Sequence, residues 1–393
     1  MTNEVVIVAA ARTPQGKILG QLAPLSAVQL GTVAVKAAIE RSGLSADAVQ
    51  AVIMGQVLQA GAGQNPARQT SIAAGIGWDV PAVTINKVCL SGLSAIIDGA
   101  RMIRLGEVDV VVAGGQESMT NAPHVLPGSR KGWTYGSMQA VDSAANDGLT
   151  DAFDKESMGL STERHNGKLG LSRGEQDEIA ARSHQRAAAA RDEGLFAAEI
   201  APVEIAGRKG DVTTLTDDEG VRPDSTPETL GKLRPAFTSD GTITAGNSSP
   251  LSDGAAAVVL TSRAYAEEKG LTILAVLGEH GQTAGPDNSL HSQPSRSIAA
   301  ALRKAGWEAS ELDHIEINEA FAAVSAQSMR DLELDPAVVN PHGGAISIGH
   351  PIGASGARLV VHAAHELARR GGGRAAVALC GGGGQGDALL LSL

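Results

Sequence analysis

Two cysteines in 393 residues invite separate questions. Cys89 stands in INKVCLSGLSAI, between a β-branched run, AVTINKV, and a segment with helical spacing, SGLSAIIDGARMI. That puts its thiol at a strand-to-helix turn, where unpaired backbone N–H groups and the helix dipole favour a thiolate and hence a nucleophile. The competing reading is a small buried filler. Cys380, in ALCGGGGQG, closes an apolar run ahead of four glycines, whose backbone N–H groups can approach a ligand closely. Gly381, Gly383 and Gly386 also satisfy G-x-G-x-x-G, but neither a crossover helix nor an acidic residue at the required spacing follows, so a dinucleotide site fails its context. His350, in SIGHPIGASG, lies in a Gly-lined loop just before a helix near Ser355, a suitable place for a general base. Asn318 and Glu319 fall where a strand gives way to a helix; the Asn is either functional or a helix cap. His362 and His365, three apart on one helix, read as a packed or solvated face, because the neighbouring sequence offers no further metal ligands.

The elements that must position these groups form a repeating pattern. EVVIVAA, SAVQLGTVAVKAAIERSG, VQAVIMGQVLQ, SGLSAIIDGARMIRLGE and DVVVAGGQES read as β-α-β-α-β, with strands apolar enough to be buried on both faces. A similar series follows Leu271, from LTILAVLGEH through PSRSIAAALRKAGW, HIEINEAFAAVSAQSMRDL and SGARLVVHAAHELARRG to RAAVALCGGGG. Ser91-Gly92 and Ser355-Gly356 each open a helix that feeds a strand expected to end in glycines, at Gly114-Gly115 and at Gly381 to Gly384. This is the signature of an internally duplicated, layered α/β fold. Between the halves, from about Met119 to Asn247, the chain is loop-like and polar around one charged, Ala-rich helix in SRGEQDEIAARSHQRAAAARDEGLF. Arg130, Lys131, Arg208, Lys209, Arg222, Lys232 and Arg234 make this insertion locally basic.

Bulk composition excludes several classes. Hydrophobic residues reach 43%, charged residues 19%, and glycine 48 positions, which suits a globular chain of two or three units rather than a disordered one. A net charge of -11 and only nine aromatic residues argue against nucleic-acid binding. No apolar run has the length of a membrane helix, and the N-terminus lacks a signal-peptide pattern, so the expectation is a cytoplasmic protein that does not engage membranes. Two distant cysteines form neither a disulfide framework nor an evident metal site.

Taken together, NKVCLSGL, Asn318 to Phe321, GGAISIGHPIGASG and CGGGGQG closely resemble the blocks of the thiolase family, in the family's order, and IVAAARTPQGK near the start is similar too. The resemblance runs from about Val5 to the last residue. It implies two thiolase-type halves, 1–118 with 249–268 and 269–393, each a mixed sheet with helices, stacked about shared central helices, plus a loop domain over 119–248. It also implies acyl transfer between coenzyme A thioesters, which are substrates rather than permanently bound cofactors, with no metal. By that similarity Cys89 carries the acyl group, His350 takes the thiol proton, and Cys380 exchanges the α-proton of the second acyl-CoA. One oxyanion site would use His350 with a water held by Asn318, the other the N–H groups of Cys89 and Gly382; losing such a donor costs about 3 kcal/mol. Arg222 would meet nucleotide phosphates and Ser249 the pantetheine arm. Ser157 stands where short-chain members generally have His, and His342 where they have Asn; with Met158 these are expected at the acyl pocket. Condensation of two acetyl-CoA is the first expectation, cleavage of longer 3-ketoacyl-CoA the second, and a non-catalytic acyl-CoA-binding subunit the third. Related ketosynthases use a second His where this chain has Asn318. HVLPGSRKGWTYGSM resembles the segment that joins tetrameric members, so a homotetramer is expected.

Overall fold

The computed structural model describes residues 4–207 and 210–393; Arg208 and Lys209 of the basic set lie outside the described residues. Nine strands make up the main sheet, which a two-residue strand at Gly16–Lys17 extends: β1 (Val5–Arg12), β2 (Ala51–Gly55), β3 (Ala82–Ile85), β4 (Val110–Ser118), β5 (Ser252–Ser262), β6 (Ala275–Ala284), β7 (His314–Ile317), β8 (Arg374–Gly381) and β9 (Gln385–Ser392). Their spatial order is β7-β8-β9-β6-β1-β5-β4-β2-β3. β2 runs parallel to β3 and β4, while β4–β5 and β5–β1 are antiparallel. The second half repeats this. β7 and β8 are parallel, β8–β9 and β9–β6 antiparallel, and an isolated parallel bridge from Ile315 to Val339 stands where the first half has β3. The expected duplication is therefore written in the strand order. Beyond the expectation, the halves share hydrogen bonds, since Val5–Ile7 of β1 pair with Ala275–Leu277 of β6.

Two helices, α1 (Ser91–Arg104) and α2 (Ser355–Arg370), lie between the halves and share one core. Leu93, Ile96 and Ile97 of α1 and Leu359, Val360 and Val361 of α2 join residues from β1, β4, β5, β8 and β9 in it, all buried. Burying each such side chain is worth roughly 1.5–3 kcal/mol, so this layer is the main adhesive between the halves. The repeated Ser-Gly pairs explain how the helices meet. A Cβ on Gly92 would come within 2.9 Å of Ala357 N, and one on Gly356 within 2.5 Å of Leu93 N, so each glycine admits the other helix's backbone.

The glycines of β4 correct the sequence expectation. β4 does not end at Gly114-Gly115 but continues to Ser118. A Cβ on Gly114 would lie 2.1 Å from Ala256 O, and one on Gly115 2.1 Å from Gly353 O. These residues are bare because a neighbouring strand and the loop after His350 press against them.

The insertion carries α3 (Met158–Leu169) and α4 (Arg173–Asp192), the latter capped by Ser172 and followed by Gly194 at φ 73°. β5 follows it in sequence yet lies between β1 and β4 of the first half. Among the described residues no helix is long and apolar enough to cross a membrane.

Candidate active site

Cys89 precedes α1 on a turn whose construction is unusual. Val88 has φ 52°, the left-handed region that a β-branched residue avoids. Three bonds hold it there: Val88 N–H donates to Asn86 Oδ1 (3.0 Å), Lys87 N–H to Ser91 Oγ (2.8 Å), and Ser91 Oγ–H to Val88 O (2.6 Å). Lys87 Nζ then reaches Asp387 at 2.7 and 2.9 Å, and Ser94 Oγ donates to the same carboxylate at 2.8 Å. Because Asp387 lies on β9, the turn presenting Cys89 is tied to the hairpin bearing Cys380.

That hairpin joins β8 to β9 through Gly382, Gly383 and Gly384, with Gly381 opposite Gln385. Most of its glycines serve the fold rather than a ligand. Gly383 and Gly384 have φ of 82° and 68°, and a Cβ on Gly381 would lie 2.7 Å from Leu90 Cγ. Gly382 differs: its N–H, with that of Cys89 itself, points at the Cys89 sulfur. These are the paired donors that an oxyanion site needs.

His350 is fixed from its far side. Ser355 Oγ–H donates to Pro351 O (2.9 Å), so it accepts from His350 Nδ1–H at 2.6 Å, which places the imidazole proton on Nδ1 and the lone pair on Nε2. The His350 N–H donates to Ser252 Oγ at 3.0 Å. Asn318 Nδ2 stands 3.5 Å from both ring nitrogens, beyond a strong hydrogen bond, and its Oδ1 has no hydrogen-bond partner in the buried structure. The cap reading of Asn318 fails, since the helix after it starts at Ala322 with Phe321 at the N-cap.

Cys89, Cys380, His350 and Gly382 line one cavity of about 390 Å³ with Ser157, Met158 and Ser249. Leu149, Phe237, Leu290, Phe321 and Ile352 make it strongly apolar, and among them Phe237 packs edge-on to Phe321, ring centroids 6.4 Å apart. Ser157 caps α3 by accepting from Leu160 N–H at 3.3 Å. Ser249 Oγ donates to Ala320 O at 3.0 Å. Arg222 lies outside the cavity on an exposed loop, beside His184, with Nη2 3.2 Å from the ring's Nε2.

His342 is a correction. It is absent from the cavity wall and instead places Nδ1 3.0 Å from His362 Nε2, behind α2. A residue only eight positions before His350 contacts His362 of α2 instead of the cavity, which sequence distance does not reveal.

Electrostatics revise the expected thiolate as well. Burial pushes the Cys89 thiol up to about 11, more than the Gly382 and Cys89 N–H groups pull it down, and Glu117 adds to the rise. Burial drives Cys380 higher still, with Cys89 reinforcing it. Burial, helped by Arg358, lowers His350 to about 4. The resting pair at neutral pH is a thiol and a neutral imidazole, so the proton moves as attack occurs.

Glu117 escaped the sequence reading. Fully buried on β4, it accepts N–H groups from Val57 (2.9 Å), Leu58 (3.2 Å) and Gly353 (2.9 Å), clamping the loop after His350 to the loop after β2. Burial raises its carboxyl to about 7 against those three bonds. Nothing in AGGQES distinguishes it from a surface glutamate, because its partners come from distant loops.

Comparison with known proteins agrees with this constellation. The model of the thiolase N-terminal domain matches residues 5–264 and that of the thiolase C-terminal domain 271–393. The chain belongs to the thiolase family. Among similar proteins, a probable acetyl-CoA acetyltransferase of Mycolicibacterium smegmatis is 57% identical, over 98% of this chain and 100% of that protein. An acetyl-CoA acetyltransferase of Pseudomonas aeruginosa is 50% identical over 99% of each. This thiolase also superimposes on the crystal structure of the Bacillus anthracis acetyl-CoA acetyltransferase with a TM-score of 0.97 and 38% identity, covering 100% of this chain and 99% of that one. Human mitochondrial 3-ketoacyl-CoA thiolase gives a TM-score of 0.94 and 40% identity, covering 99% and 98%.

Proposed function

We propose that the protein is an acetyl-CoA C-acetyltransferase, condensing two acetyl-CoA into acetoacetyl-CoA reversibly through an acetyl group on Cys89. The observation that carries this is the convergence of Cys89, Cys380 and His350 on one apolar cavity, with the N–H groups of Gly382 and Cys89 aimed at the nucleophilic sulfur. His350 Nε2 accepts the thiol proton as Cys89 Sγ attacks the thioester carbonyl; the carbonyl oxygen takes negative charge and CoA leaves with the proton. His350 Nε2, free again once CoA has left with the proton, takes the Cys380 proton. Cys380 Sγ then removes a proton from the methyl carbon of the second acetyl-CoA, the carbanion attacks the acetyl-Cys89 carbonyl, and Cys89 Sγ leaves, recovering the proton held on His350. Asn318, through a water at its free Oδ1, and His350 stabilise the enolate oxygen.

The CoA moiety reaches the cavity past the insertion. Ser249 meets the pantetheine arm, Ser157 and Met158 border the acyl end, and Arg222 meets the phosphates with Lys232 and Arg234 nearby in sequence. Exposed Leu126, Trp133, Tyr135 and Met138 cluster on the 124–142 arm, and supply the apolar contacts of a cytoplasmic homotetramer serving fatty acid metabolism. Sedimentation of a Trp133→Asp, Tyr135→Asp double variant tests the assembly: a fall to a smaller oligomer is expected, and an unchanged tetramer refutes the role of the arm.

Mass-spectrometric mapping after a pulse of isotopically labelled acetyl-CoA tests the chemistry. Label on Cys89 is expected, and none there refutes the reading. Cys89→Ser should lower turnover by at least about a thousandfold, whereas Cys380→Ser should still acylate and fail in condensation. The roomy wall of Leu149, Leu290, Phe321 and Ile352 favours a second reading, cleavage of longer 3-ketoacyl-CoA. Rates on acetoacetyl-CoA and 3-ketooctanoyl-CoA separate the two.

A further inference from the structure

His362 and His365 by themselves offer too few ligands for a metal, but folding changes the count around His362. Neighbouring positions i and i+2 put His314 and Glu316 on one face of β7, and that face meets His362 of α2. His342 arrives from the preceding loop. The rings of His314, His342 and His362 stand 5.2 to 6.2 Å apart, centroid to centroid. One potential ligand atom from each of His314, Glu316 and His362 lies within 4.8 Å of the others, and all three residues are buried.

What singles this cluster out is unmet bonding capacity. Both ring nitrogens of His314 and Oε1 of Glu316 lack hydrogen-bond partners, although the two residues are 0% exposed. Leaving such atoms unsatisfied costs about 1–3 kcal/mol each. His314 Nε2 and Glu316 Oε1 stand 3.2 Å apart. Two donors bound at about 2.1 Å to one ion are separated by about 3.0–3.4 Å at octahedral or tetrahedral angles. His362 Nε2 and His342 Nδ1, at 3.0 Å, have a comparable spacing.

The surroundings are those of metal ligands too. His362 Nδ1 is 2.8 Å from Glu199 Oε2, which leaves Nε2 as the binding nitrogen, and Glu199 is itself held by Arg12 at 2.6 Å. Arg12 pairs with Asp218, and Arg358 Nη1 donates to the other oxygen of Glu316 at 3.0 Å. Glu366, 3.9 Å from His342 Nδ1, is paired in turn with Arg369 and Arg370.

We propose that His314, Glu316, His362 and His342 form a structural site for a first-row divalent transition ion, with zinc the best match to imidazole and carboxylate donors. The ion would lock β7 to α2 and to the loop carrying His342, the segments that lead to Asn318 and His350. Untagged full-length protein, expressed with added zinc and dialysed against metal-free buffer, should retain one zinc per chain by elemental mass spectrometry. It should also melt higher than protein expressed without added metal. Cobalt-grown protein should show the weak visible bands of nitrogen and oxygen donors, without the thiolate charge-transfer band that binding at Cys89 or Cys380 would give. His314→Gln should lower the retained metal by at least about tenfold, while His365→Gln keeps it. Should His314→Gln not fold, His342→Gln provides the same comparison at a less buried ligand. Sub-stoichiometric metal in the zinc-grown protein, equal metal in the ligand variants, or a thiolate band overturns the proposal.

Discussion

At the scale of residues, the catalytic pair is poised as neutral species. Position beside a helix N-terminus argues for a thiolate at Cys89, but the N–H groups of Gly382 and Cys89 do not offset burial. Because the thiol is raised to about 11 and His350 is lowered to about 4, the alkylation rate of Cys89 by iodoacetamide should climb steadily from pH 7 to beyond 9. A plateau near neutrality would refute the neutral resting pair. His350 in turn depends on Ser355, which sets its tautomer. Ser355→Ala should lower kcat about tenfold, the loss of one hydrogen bond's worth of about 1.4 kcal/mol, with KM nearly unchanged. A rise in KM at constant kcat would assign Ser355 to binding instead.

At the scale of elements, the site is assembled by turns that hold one another. Val88 is strained, and the Lys87–Asp387 pair is the bond that ties its turn to the β8–β9 hairpin. Asp387 is fully buried but Lys87 keeps a quarter of its side chain in solvent, so the freed ammonium can rehydrate. Asp387→Asn should therefore cost about 1–3 kcal/mol, less than a fully buried pair. It should also slow Cys89 acylation, because Gly382 shares that hairpin. Urea unfolding and the acylation burst measure the two effects, and lost stability with an unchanged burst would disconnect the turn from the chemistry. Glu117 does for the His350 loop what Asp387 does for the Cys89 turn, through backbone N–H groups alone.

At the scale of the whole molecule, duplication gives the site its layout: one half brings Cys89 at the start of α1, the other brings His350 before α2, and the helices meet at Gly92 and Gly356. Burying neutral histidines makes the fold acid-sensitive. His350, His184 and His291 are each lowered to about 4, chiefly by burial. Between pH 4 and the unfolded value of about 6.5 the unfolded chain binds more protons than the native one, so stability rises with pH across that window and is lost on acidification. The melting temperature should fall as pH drops from 7 to 4.5. His291→Gln, which removes one such group, should flatten that slope, and an unaltered slope would assign the acid sensitivity to other groups.

Much of this was legible in the chain because it is local. The β-α-β-α-β alternation, the paired Ser-Gly helix starts and the four motif blocks depend on periodicity and on neighbours a few residues away, and they led to the thiolase family and its two-half fold. Other features depend on which distant backbones meet. Gly114 and Gly115 look like a strand's end but are gaps for Ala256 and Gly353. His342 looks like part of the pocket but turns toward His362, and His362, which reads as part of a packed helix face, joins residues from β7. Residue types and short spacings determined which groups could react. Only tertiary contact decided which were desolvated and which were partnered, because burial and hydrogen bonding are properties of what surrounds an atom, and those surroundings come from segments far apart in the chain.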